Sequence, residues 1–225
     1  MTKYLNPVMD FINTLCNFIV LNLLFLITCL PVFTIGTALA SLYYVMIKEA
    51  RGEYGYLVRT YLREFKKNLK VGTGAFAILF VSGALLLFGL SFWGSYGTMF
   101  SAVLTGILIL AALAWFLIFT YTFPVIGRFE TDARMALRNG WALALTNVRA
   151  TLTLVLIDIC VVCLCLFAAP MKLLMVLFGF AFIAYCQSFI FNKVFTPYEE
   201  TEDASLEHET MADKQREMMS GTSQY

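Results

Sequence analysis

Residues 71–93, VGTGAFAILFVSGALLLFGLSFW, contain no charged side chain. Wound as an α-helix, that run is about 35 Å long, enough to cross the roughly 30 Å hydrocarbon layer of a bilayer. Comparable runs lie at 11–30, 101–123, 150–168 and 171–191, with a shorter one at 35–50. Lipid offers no partner to backbone amides and carbonyls, so a chain with several such runs must satisfy them within helices. The fold class that follows is all-α, a polytopic transmembrane helical bundle. Composition agrees: 14% of the residues are charged, against about 25% in a soluble domain.

The first apolar stretch is broken. Pro31 cannot donate its backbone amide, and Gly36 relaxes the chain five residues later. Residues 11–30 and 35–50 therefore read as a helical hairpin, which gives six membrane segments. The alternative is one kinked pass and five segments, although a straight helix over 11–50 would be about 60 Å long. Gly36, Ala40 and Ser41 place small residues where helices pack closely. FPVIGRFE at 123–130 reads as a second exit, so Pro31, Gly36, Pro124 and Gly127 are hinge or turn candidates.

Between 51 and 70 the periodicity changes. Tyr54, Leu57, Val58, Tyr61, Leu62, Phe65 and Leu69 recur at three and four, opposite Arg51, Arg59, Arg63, Lys66, Lys67 and Lys70. The spacing predicts an amphipathic helix with a basic face, lying at a membrane interface. A second Arg-bearing amphipathic stretch, containing Arg138, precedes residue 150. Arg59, Arg63, Lys66, Lys67, Lys70 and Arg138 form a candidate cytoplasmic docking face for anionic lipid headgroups or a protein partner. Lys66-Lys67-Asn68-Leu69-Lys70 and Leu145-Thr146-Asn147-Val148-Arg149 each precede a span, a short echo that fits a three-plus-three duplication as well as it fits two similar loops.

Charge gives orientation. The segment 48–70 carries seven Lys/Arg and 124–149 carries four, whereas the connectors at 94–100 and 169–171 carry none. The Lys/Arg excess places both basic segments, and the C-terminus, in the cytoplasm of a multi-pass cell-membrane protein. The net charge of +1 hides an asymmetry: 196–225 holds eight acids and two bases, leaving 14 bases and 7 acids in 1–195. The chain thus divides into a membrane domain, 1–195, and an acidic, disordered cytoplasmic tail, 196–225. A basic membrane body of this kind does not point to nucleic acid. The N-terminal apolar run exceeds a signal-peptide core and reads as retained.

Little in the chain suggests catalysis. His208, between Glu207 and Glu209 in the tail, is the only histidine, so no His-based triad or two-His metal site can be built in the membrane body. Cys16, Cys29, Cys160, Cys163, Cys165 and Cys186 all sit in apolar runs and read as small hydrophobes. No catalytic, cofactor-binding or metal-binding residue is assigned, and the chain does not read as an enzyme. One residue is out of place. Asp158 lies mid-run in LVLIDICVVC, where a carboxylate costs about 2.5–3.5 kcal/mol on insertion scales and needs a partner facing the bundle interior. Asn22, Thr28 and Gln187 are the polar candidates, and Asp158, Asn22 and Gln187 form the candidate intramembrane site. Its role is either a substrate, ion or proton contact or a protonated or hydrogen-bonded link between helices. Asn13, Asn17 and Asn22 read as packing or capping groups by the same reasoning.

PVFTIGTALASLYYVMIKEARGE followed by YLREFKKNLK resembles the YesL family of bacterial membrane proteins, a family of unknown function. The block Pro31, Val32, Thr34, Ile35 and Gly36, with Ala40, Leu42, Tyr43 and Tyr44 after it, carries the likeness, which spans about residues 5–195. The resemblance implies a Gram-positive membrane protein encoded near carbohydrate ABC importers, with no established activity and no site to transfer. The reading that results is an accessory of a carbohydrate ABC import system, with the bilayer and ABC permease subunits as partners. The alternative is a small independent transporter or channel using Asp158.

Overall fold

The computed structural model describes residues 6–53, 55–167 and 169–221, with side chains placed over 14–53, 55–167 and 170–200. Asn13, Tyr54, His208 and the acidic tail from residue 201 onward lie outside the residues with described side chains, and so do the readings that fall on them.

Among the described residues the fold is all-helical. Helix α1 (Asn6–Cys29) ends at the break around Pro31, a 3-10 turn (Val32–Thr34) follows, and α2 (Ile35–Ala50) begins at once. Next come α3 (Leu57–Lys67), α4 (Leu69–Gly94), α5 (Met99–Arg128), α6 (Ala133–Thr146) and α7 (Val148–Phe167). The last stretch combines α8 (Ala169–Leu174), a π-helical turn (Met175–Gly179) and α9 (Phe180–Gly221). Among the described residues, four helices are long and apolar enough to cross a membrane: Leu69–Gly94, Met99–Arg128, Val148–Phe167 and Pro170–Glu200. Within α1, the apolar part with described side chains is Thr14–Cys29. These are four of the six segments expected above; α2, at 16 residues, is about 24 Å long and too short to cross alone.

Helix α2 is the hub, packed against α3, α4, α5 and α9. Two crossings bring backbones together. A Cβ on Gly36 would meet Phe76 Cβ at 2.6 Å, and one on Gly127 would meet the Ala40 carbonyl oxygen at 2.5 Å. Both contacts require glycine. The hydrophobic core divides around this helix. One cluster gathers Tyr121, Phe123, Phe191 and Phe195 with Ala40 and Ile47; the other gathers Phe18, Leu21 and Phe25 with Leu42, Met46 and Tyr61. Outward faces are apolar as well: Phe88 is 70% exposed and Leu110 67%. Exposed apolar surface on this scale suggests a membrane-embedded protein.

One sequence reading needs correction. Pro124 and Gly127 are not a turn. Helix α5 runs through both to Arg128, and the chain reverses only at 129–132. Thr120 and Thr122 hydroxyls donate to the Phe116 and Ile118 carbonyls one turn below the proline, and its surroundings from Thr120 to Gly127 are wholly buried. Tertiary packing holds the helix across a residue that would end it in isolation. Beyond the reversal, α6 folds back on α5, with Gly140 against Thr122.

Candidate functional site

Asp158, half-buried on α7, is reached by Gln187 of α9. The Gln187 side-chain Nε2 donates to Asp158 Oδ1 at 2.7 Å, and Gln187 Oε1 accepts the Tyr43 hydroxyl of α2 at 2.5 Å. Gln187 is 1% exposed. Three helices distant in sequence therefore share one buried amide, and a carboxylate with a buried partner is the arrangement a low-dielectric setting demands.

The chain of bonds lies along the wall of a cavity of about 360 Å³. Phe116, Phe119 and Phe123 of α5, spaced to share one helix face, line another side, and Leu42, Val162, Met175 and Phe180 contribute to the rest. Thr120 is the remaining polar side chain of the lining.

Asn22 does not touch Asp158. Its Nδ2 donates to the Met175 and Val176 carbonyls at 3.2 and 2.7 Å, and its Oδ1 accepts from the Ala181 amide at 3.0 Å. A π turn displaces backbone groups from the ordinary i→i−4 pattern, and Asn22 supplies partners for them. Thr28 is also elsewhere, sharing a 2.6 Å hydrogen bond with the Tyr61 hydroxyl. The sequence signals thus found the acid and the glutamine, missed Tyr43, and joined to them an asparagine that serves the neighbouring turn.

With this geometry in view, one comparison bears on the chain. A family model described as a protein of unknown function, DUF624, matches residues 18–90. The matched stretch runs from α1 into α4; it contains Tyr43 and Asn22, and Asp158 and Gln187 fall beyond it. No curated protein and no solved structure matches the chain.

Within the stretch 51–70, α3 covers Leu57–Lys67, and Leu62 and Leu69, expected on the apolar side, are exposed. Leu57, Tyr61 and Glu64 are buried, whereas Arg59, Leu62, Arg63 and Lys66 are exposed on a face that continues to Lys70 in the first turn of α4. Buried Glu64 is an exception to the apolar side, and it pairs with Arg63 at 3.0 Å. Lys67 reaches Glu130 at 2.5 Å. That hydrogen bond holds the Glu130 carboxyl below its ordinary range and raises the Lys67 ammonium above its own. Arg138 is exposed on a different helix, α6.

Glu199 is one of the eight acids of 196–225. It is a structural carboxylate, bound by Arg51 Nη1 and Nη2 at 2.8 Å each and by Arg128 Nε at 2.5 Å. Arg51 also donates to Asn192 Oδ1 at 2.7 Å. This clamp ties the ends of α2 and α5 to α9. A second cavity, about 340 Å³, lies nearby between Val125, Leu143 and Tyr198, and no charged side chain lines it. Among the described residues, no three His, Cys, Asp or Glu side chains group as metal ligands.

Proposed function

We propose that this chain is a multi-pass cell-membrane protein of the YesL kind that admits a small solute into its bundle beside Asp158 and moves it as a transporter in its own right. The observation that carries the reading is the position of the Asp158–Gln187 pair on the wall of a cavity. A carboxylate serving only as a link between helices would be sealed by packing; this one borders open volume. The break at Pro31 and the π turn at Met175–Gly179 are irregular helical segments of the kind that transporters place around such a site. The Lys/Arg excess of 48–70 and 124–149 supports a cytoplasmic side for those segments and the C-terminus in this reading. Reconstitution into proteoliposomes tests the reading: Asp158→Asn abolishes a flux that wild-type protein supports, and a flux indifferent to the change argues against it.

The exposed face of α3 favours a second reading, an accessory docked on a carbohydrate ABC permease or on anionic lipid. Arg59, Arg63 and Lys66 surround exposed Leu62, and Arg63 pairs with Glu64 beside it. Co-purification with permease subunits in fixed stoichiometry supports this reading. Joint neutralisation of Arg59, Arg63, Lys66 and Lys67 then weakens the association, and binding unchanged by those substitutions removes it.

A further inference from the structure

We propose that the cavity beside Asp158 binds an amphiphilic organic cation, a molecule of the alkylammonium class with one positive nitrogen and an apolar body. This rests on the reading that Asp158 marks a solute site, and it names the chemistry that the site selects.

The polar groups of the wall decide the sign. A hydroxyl carries one proton. That of Tyr43 goes to Gln187, and that of Thr120 to the Phe116 carbonyl at 3.0 Å. Gln187 uses one amide N–H on Asp158. What is left toward the cavity is mainly acceptor capacity, headed by the second carboxylate oxygen of Asp158. An anion would meet that carboxylate. A sugar would bring many hydroxyls against Phe116, Phe119, Phe123 and Phe180, where most would lose water and find no partner. A single ammonium is matched by the carboxylate, and the faces of the phenylalanine rings attract the same charge.

The wall is also built for the purpose. Met175 and Phe180 flank the π turn and line the cavity, and π turns recur at functional sites. Asn22, wholly buried, donates to the Met175 and Val176 carbonyls of this turn and accepts from the Ala181 amide just beyond it. The volume of about 360 Å³ falls within the roughly 300–1,000 Å³ usual for ligand pockets. Val162 lines the cavity and is 57% exposed on α7, so an amphiphile has a lateral path from the bilayer.

The test uses the full-length protein in phosphatidylcholine nanodiscs with radiolabelled n-hexylammonium as probe, against empty nanodiscs. Saturable binding is expected, displaced by unlabelled probe and not by hexanoate or glucose. Asp158→Asn, checked for an unchanged elution profile, should loosen binding roughly thirtyfold or more. Phe116→Leu keeps the carboxylate and should loosen it about threefold. No saturable binding, wild-type binding in Asp158→Asn, displacement by glucose, or equal displacement by neutral 1-hexanol would each overturn the proposal; the last would mean a cavity that takes any acyl chain. Saturable binding without flux upholds the ligand class and overturns transport. An Asp158-dependent flux of another solute, with no ammonium binding, overturns the ligand class alone.

Discussion

Gln187 donates its side-chain amide to the Asp158 carboxyl at 2.7 Å across the contact between α7 and α9. The bond makes the glutamine more important to stability than the acid. Gln187→Leu strips a partner from both Asp158 and Tyr43 and should cost about 2–4 kcal/mol, since each buried polar group left unpaired costs about 1–3. Asp158→Asn keeps an oxygen to accept from Gln187 and should stay within about 1 kcal/mol. Unfolding of both variants in detergent measures the difference; equal losses would mean that the pair is not linked as described.

Asn22 stabilises the π turn from a helix more than 150 residues away. Asn22→Leu preserves bulk and removes every bond to Met175, Val176 and Ala181. A loss of about 2–3 kcal/mol is expected, with faster amide exchange concentrated at 175–181. Exchange unchanged in that window would show that the turn holds itself.

Gly127 passes the backbone of α2 too closely to carry a side chain. Gly127→Ala drives a methyl group toward the Ala40 carbonyl and should cost about 1–3 kcal/mol through overpacking. Gly94→Ala is the control, because nothing lies within 4 Å of a Cβ there. If the two variants melt alike, the crossing is looser than its geometry.

Glu199 holds two arginines in place. Glu199→Gln weakens three charge-assisted contacts and should cost about 2–3 kcal/mol. Adding Arg51→Gln should cost less than the sum of the single changes, since both act on one cluster. Strict additivity in thermal melts would mean that Arg51 and Glu199 do not interact in solution.

The site was half legible. Asp158 was conspicuous because a charge in an apolar run has no local justification, and Gln187 because it is one of few amides in a span. Tyr43 gave no signal: a tyrosine in an apolar helix looks like packing until a partner is known. Asn22 looked equivalent to Gln187, and only the position of α1 against the π turn separated their roles. Nor did sequence reveal the turn itself, since MVLFG at 175–179 reads as ordinary helix.

The apolar runs, the break at Pro31 and the basic face of α3 were determined by the sequence alone, because each depends on hydrophobicity, spacing or backbone chemistry within about twenty residues. The tertiary structure decided what meets what. It carried α5 through Pro124, folded α6 back on it and withdrew Glu199 from the tail into the Arg51–Arg128 clamp. It also gave Asp158 to Gln187. Partner choice of this kind is fixed by where helices cross, and a crossing such as Ala40 over Gly127 depends on side-chain volume at both positions together. No local pattern contains that information.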